Sequence, residues 1–230
     1  MSKKVHPYAH RMVILRDWKS RWFATDKKYS DFLRADIFIK EYLAKKLKNS
    51  FVSVIEIERS RNGARVIIKT SRPGVIIGRQ GEGAKKLKED LLKMMKKNAI
   101  VIPEDLKVDI VEVSNPDADA KIVALSVVEG LEKRMPFRRV LKQTLEKIMA
   151  VREVKGARIL IGGRLNGADM ARTESVKKGS IPLQTFRADV DFARERANMS
   201  YGVIGIKVWI YKGEVFDKKH KKLPCYYQRK

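Results

Sequence analysis

The chain holds one cysteine, Cys225, and three histidines, His6, His10 and His220, among 230 residues. A single thiol closes no internal disulfide, and one thiol with three scattered imidazoles lacks the paired spacing of a structural zinc site. No uninterrupted apolar run approaches the roughly 18 residues that would cross a bilayer, and there is no lipidation signal. The start, Met1-Ser2-Lys3-Lys4-Val5-His6-Pro7, also lacks the apolar core of a secretory leader. These absences predict a cytoplasmic protein with no metal, no cofactor and no membrane partner. Acidic residues are scarce as well: 27 Asp and Glu face 51 Lys and Arg, for a formal charge of +24. Self-repulsion on that scale is normally offset by a polyanion, and nucleic acid is the first candidate.

What is present is enough to build cores. Hydrophobic residues make up 44% of the chain, and 51–58 and 203–211 are dense in β-branched and aromatic side chains. The length suits two domains better than one. Residues 1–29 form a basic arm in which Lys3, Lys4, Arg11, Arg16, Lys19 and Arg21 alternate with Tyr8, Trp18, Trp22 and Phe23. That mixture fits phosphate contact plus base stacking, and fits equally an arm docked on the next domain by its aromatics. From 30 to 114 the pattern predicts helix 30–48, strands 51–58 and 64–70 joined at Ser60-Arg61-Asn62-Gly63, a short turn after Pro73, helix 82–97 and a strand over 106–113. The order is αββααβ.

Ser114-Asn115-Pro116 interrupts the periodicity and marks a boundary. Beyond it, 115–216 predicts helices 118–134 and 137–151, a strand 155–165, a short helix 168–176, and strands 181–192 and 203–211. Residues 217–230 form a basic tail without a core of their own.

Between the short turn and helix 82–97 lies Gly78-Arg79-Gln80-Gly81. Two glycines let the backbone approach a sugar-phosphate chain, the following helix start offers free N–H groups, and Arg79 adds a full charge. A bare GXXG carries little weight. Placed between two helices, after a hairpin and before a strand, it resembles the type II KH domain, whose GXXG loop clamps backbone nucleotides. A Walker A loop does not fit: Gly74 and Gly78 are followed by Arg79-Gln80, and Gly162 to Gly167 by Ala168-Asp169.

Longer stretches go further. Lys4-Val5-His6-Pro7, Arg72-Pro73-Gly74 through Gly81-Glu82, Phe137-Arg138-Arg139, Gly163-Arg164-Leu165 through Arg172-Thr173-Glu174, and Tyr201 through Glu214 occur in order over most of the chain. Together they resemble the bacterial branch of the ribosomal protein S-three family. The resemblance implies an α+β protein of the small-subunit head, with an N-terminal type II KH domain and a C-terminal α/β domain whose helices pack on a small mixed sheet. It implies as partners small-subunit ribosomal RNA, messenger RNA and the proteins S-ten, S-fourteen and S-two.

Site residues follow from both lines. On the helix 137–151, Arg138, Arg139 and Lys142 project away from Val140, Leu141, Leu145 and Ile148. The matching positions in the family grip messenger RNA where it enters the ribosome, which opens base-paired messages. The plain alternative is a solvated helix face. Expected ribosomal RNA contacts are Lys3, Lys4 and His6 in the arm, and Arg164 and Arg172 around the Gly162–Gly167 turn, where the alternative is a tight connection needing glycine for geometry. Catalysis would rest on Asp117 with Asp119 or Asp189 with Asp191, the latter two on one face of a strand. Without a third ligand they suit ion pairing with Arg187 and Arg194 better than a metal-dependent nuclease. No catalytic residue is expected. A DNA-repair nuclease and a free KH-domain RNA regulator stand as the alternatives to a ribosomal role.

Overall fold

The structure is a computed structural model that describes residues 5–60, 63–98 and 105–216. Lys3, Lys4 and the tail 217–230 lie outside the described residues. The arm begins with one helical turn, α1 (Pro7–His10), and reaches a two-residue strand, β1 (Ser20–Arg21). Helix α2 (Asp26–Lys46) follows, with Ala35, Ile39 and Leu43 buried at every fourth position. That spacing puts one stripe on the core. Leu33 and Ile37, also expected inside, are 42% and 48% exposed on its outer side.

Strands β2 (Val52–Arg59) and β3 (Gly63–Thr70) form the predicted hairpin, followed by α3 (Pro73–Ile77), α4 (Glu82–Lys97) and β4 (Asp105–Glu112). The sheet runs β1-β2-β3-β4, antiparallel between β2 and β3 and parallel at both outer pairs. The parallel partner of β3 is reached through the α3–α4 crossover, as a parallel pair requires. Ile57, Val66, Ile68 and Leu106 from the sheet meet Leu87, Leu91 and Met95 of α4 and the α2 stripe in one core. This is the αββααβ arrangement expected of a type II KH domain, with a strand from the arm added at its edge.

The second core lies under α5 (Ala120–Glu132) and α6 (Phe137–Ala150). Asp119 caps α5, accepting from the N–H groups of Lys121 at 2.9 Å and Ile122 at 3.2 Å. Four strands follow: β5 (Gly156–Gly163), β6 (Arg172–Gly179), β7 (Ala188–Met199) and β8 (Gly202–Glu214), in the order β6-β5-β8-β7. Every pair is antiparallel, so the expected mixed sheet is corrected. The chain turns back directly at 200–201 and through a short loop at 164–171, and such connections cannot make parallel neighbours. Both helices cover one face.

Two further corrections concern local elements. The short helix expected over 168–176 is instead a turn at Leu165–Gly167 followed by the strand β6. Glu174 and Val176 turn inward at alternate positions while Thr173 and Ser175 are exposed, a period of two rather than 3.6. The strand expected over 181–192 starts only at Ala188 and runs on to Met199. Residues 182, 183 and 185 turn their carbonyls toward the side chain of Arg11, and no sheet pairing includes them.

Arg11 is fully buried with no carboxylate in its hydrogen bonds. Nε donates to Ala188 O at 2.6 Å, Nη1 to Pro7 O at 3.1 Å, and Nη2 to the carbonyls of Pro182, Leu183 and Thr185 at 3.2, 2.9 and 2.9 Å. Arg16 adds an ion pair to Asp189 at 2.6 Å. The other end of the arm belongs to the first sheet, where Arg21 reaches Glu56 at 2.8 Å and Glu58 at 2.6 Å. Trp22 donates to Asp36 at 2.7 Å, and Asp36 also accepts from Arg59 Nε and Nη2 at 2.9 and 2.7 Å. One segment thus spans both cores. Trp22 is a docking residue, packed against Tyr29 and Phe32, while Trp18 and Phe23 stay 57% and 71% exposed.

Candidate nucleic-acid interface

The GXXG loop is a connection between two helices that meet almost end to end. Gly78 at φ 68° and Gly81 at φ 79° take left-handed backbone, as does Gln80 at φ 50°. A Cβ on Gly83 would stand 2.5 Å from Ile76 O and 2.8 Å from Ile77 O, so the start of α4 can lie against the end of α3 only with glycine there. The result projects Arg79 and Gln80 into solvent, and no side chain caps the first turn of α4. Its free N–H groups and the helix dipole favour an anion at this point. Beyond the loop, Lys85, Lys86, Lys88, Lys93, Lys96 and Lys97 line the exposed side of α4.

On α6, Phe137, Val140, Leu141, Thr144, Leu145 and Ile148 are buried, and Arg138, Arg139 and Lys142 are exposed on the other side. Arg138 makes a loose pair with Glu174 at 3.4 Å while its side chain stays 73% exposed. Arg139 and Lys142 have no hydrogen bond or ion pair among the described residues. All three occupy the first half of the helix, whose first turn holds no acid. Cations there oppose the helix dipole, so helix stability does not call for them. Arg172, now on β6 rather than a helix, joins the same cluster through Glu174 at 3.4 Å and stacks over Phe137 at 5.9 Å.

Arg164 is differently placed. Its guanidinium donates to Ala168 O at 2.9 Å and Tyr201 O at 3.4 Å and pairs with Asp169 at 3.2 Å, bracing the turn between β5 and β6. His6 caps α1, with Nδ1 accepting from Ala9 N at 3.4 Å and the ring edge-on to Phe192 at 4.7 Å. Partial burial, and then the charge of Lys19, hold its pKa below 6.5. The structure brings Arg138, Arg139, Lys142 and Arg172 onto one surface; His6 and the GXXG loop stand elsewhere.

Asp189 and Asp191 are not paired with Arg187 and Arg194. Arg16 lies 2.6 Å from the first and 3.9 Å from the second, and Asp191 also accepts from Ala120 N at 2.9 Å. Arg187 instead binds Glu214 at 2.6 Å. Asp119 accepts from Ser53 Oγ across the two cores in addition to capping α5. Arg11 and Arg16 stand in the sequence only as two cations of the basic arm, because apart from Pro7 O the partners that fix them are backbone carbonyls and an acid more than 170 residues away.

Comparison with known proteins matches residues 39–118 to the KH domain and residues 127–210 to the family described as ribosomal protein S3, C-terminal domain. The small ribosomal subunit protein uS3 of Hydrogenovibrio crunogenus is 45% identical over 218 residues, covering 95% of this chain and 92% of its own length. Those of Stutzerimonas stutzeri and Methylococcus capsulatus are each 44% identical, over 97% and 96% of this chain and 94% and 95% of their own. This chain belongs to the uS3 family. The uS3 match spans both cores, and the KH match contains the GXXG loop. Among the described residues, no helix of this uS3 chain is long and apolar enough to cross a membrane.

Proposed function

We propose that the chain works in the cytoplasm as a structural constituent of the small ribosomal subunit head. It binds small-subunit ribosomal RNA through the KH loop and its other basic surfaces, and it grips messenger RNA where the message enters, through Arg138, Arg139 and Lys142. The observation that carries the messenger RNA role is the rigid placement of three solvent-facing cations on α6, two of them without an internal partner. A pair as exposed as Arg138 with Glu174 contributes at most about 1 kcal/mol, so a phosphate can displace the carboxylate.

Cations at this position hold phosphates of two separating strands and favour the open junction, while translocation supplies direction. No catalytic step is required of the protein. Proteins S-ten, S-fourteen and S-two are the proposed neighbours in the subunit.

The test is the triple variant Arg138→Ala, Arg139→Ala and Lys142→Ala in otherwise intact subunits. All three side chains are exposed, so assembly should persist while translation slows on messages with stable hairpins. Equal rates on structured and unstructured messages would refute the messenger RNA role. Failure of the tagged protein to sediment with small subunits in high salt would refute the ribosomal one and favour a free KH regulator.

A further inference from the structure

Helices α5 and α6 cover one face of the C-terminal sheet, and on the other the arm's His6 lies against Phe192 of the edge strand β7. Registry across its strands sets out what the other face carries. One row reads Lys177, Arg158, Trp209, Phe192 across β6, β5, β8 and β7; the next reads Ser175, Leu160, Lys207, Arg194; the third reads Thr173, Gly162, Gly205, Arg196. Lys177, Lys207, Arg194 and Arg196 are exposed, and none has a hydrogen bond or ion pair among the described residues. Arg158 lies over Trp209, its guanidinium carbon 5.3 Å from the ring centre.

The acids of these strands do not offset that charge. Glu174 faces α6 and meets Arg138 and Arg172, Asp189 is held by Arg16, and Glu195 by Lys121 of α5. Asp191 accepts from Ala120 N on the helix side, and Glu214 is bound to Arg187 near the strand ends. Five cations therefore share a face that the paired acids leave bare.

The floor between them is low. Gly162 and Gly205 stand opposite each other on the central strands, and a Cβ added to Gly205 would meet only Gly162 O, at 3.8 Å. Strands stand about 4.8 Å apart, so this leaves a trough about two strands wide in which a sugar-phosphate chain can reach the backbone. The opposite end is closed by the apolar cluster of Ala188, Val190 and Tyr211 under Ile181 and Leu183.

We propose that this open sheet face is a second RNA-binding surface, taking the sugar-phosphate backbone of RNA over Gly162 and Gly205, with Arg194, Arg196, Lys207, Lys177 and Arg158 on the phosphates. It rests on the assignment of RNA as the partner and is distinct from both the α6 face and the KH loop. The bias toward phosphate follows from charge: four free cations and no free acid suit a polyanion, and Arg158, held over Trp209, adds a fifth.

The test uses the full chain and small-subunit ribosomal RNA, with affinity measured against salt. Removing four phosphate contacts in Lys177→Gln, Arg194→Gln, Arg196→Gln and Lys207→Gln should flatten the log–log slope by about 2.8 to 3.6. Gly205→Val, which leaves charge unchanged and suits a strand, should weaken binding at least fivefold with little change in slope. Melting temperatures close to wild type exclude unfolding as the cause. A Gln variant with the wild-type slope, or a Gly205→Val variant with wild-type affinity, overturns the inference. If the Gln variant binds RNA normally but drops a protein from assembled subunits, the face takes an acidic protein and the inference also falls. Sedimentation of the tagged wild-type chain with small subunits in high salt, run in parallel, separates this outcome from failure of the ribosomal assignment: co-sedimentation with no effect of these variants spares that assignment and overturns the sheet face alone.

Discussion

Arg11 offers the sharpest test of how the arm is held. In Arg11→Met the side chain keeps an unbranched stem but loses the guanidinium and all five hydrogen bonds, and the carbonyls of Pro7, Pro182, Leu183, Thr185 and Ala188 lose their donor together. Taken at about 1.5 to 3 kcal/mol for each bond to a charged donor, the sum would be about 7 to 15 kcal/mol, as much as a whole domain's stability. Two effects reduce it. Burying the guanidinium itself costs several kcal/mol, and the arm can detach and let water reach the carbonyls while both cores remain folded. Each buried carbonyl left without a donor costs about 1 to 3 kcal/mol, and partial rehydration brings the expected loss in the docking of the arm to about 3 to 5 kcal/mol. Hydrogen exchange measures it directly: amides in 7–16 and 186–191 should exchange about 100- to 3,000-fold faster, since each 1.4 kcal/mol is tenfold. Amides of α5 and β8 should change far less. Arg11→Lys, which keeps the charge but not the planar fork, should recover only part of the protection. Exchange within threefold of wild type in both segments for Arg11→Met would show that the arm is held by other contacts.

The close approach of α3 and α4 sets helix propensity against sterics at one position. Gly83→Ala in a helix would ordinarily stabilise by about 0.5 to 1 kcal/mol, but the added Cβ strikes two backbone carbonyls, so a loss of about 1 to 3 kcal/mol is expected by urea denaturation; a gain would disprove the contact. His6 gives a pH dependence. Its folded pKa lies below 6.5, so the unfolded chain binds its proton first. The stabilisation is full above about pH 6.5 and is lost as pH falls from there through the folded value. An NMR titration of His6 with a midpoint at or above 6.5 would contradict this.

Much of the first domain could be read from periodicity because its elements are amphipathic one by one. The four-residue stripe of α2, the hairpin around 60–63 and the Leu87, Leu91, Met95 face of α4 each carry their own signal. Segment 168–176 failed because its polar residues disguise an edge strand: only Glu174 and Val176 face inward, and the glutamate does so to meet Arg138. Segment 181–187 is apolar enough to resemble a strand, but its carbonyls are claimed by Arg11, a partner no local pattern can reveal. The candidate site divides in the same way. Arg138, Arg139 and Lys142 stand out against a clean apolar face on one helix. The open sheet face alternates too, through Phe192, Arg194 and Arg196 on one strand and Lys207 and Trp209 on another, but its meaning depends on registry among four strands.

The arm's attachment also bears on the order in which the molecule forms during synthesis. β1 needs only Ile57 and Glu58, made early, whereas Arg11 waits for carbonyls 171 to 177 residues further along the chain. At about 5 to 20 residues per second, that interval is on the order of 10 to 35 s. In its later part, once β4 has been made at residue 112, the KH domain can be complete while the arm's N-terminal half has nowhere to dock. The last strands of the chain therefore close the structure at its first residues, and a nascent chain stalled before residue 188 carries a folded RNA-binding module with a loose cationic leader.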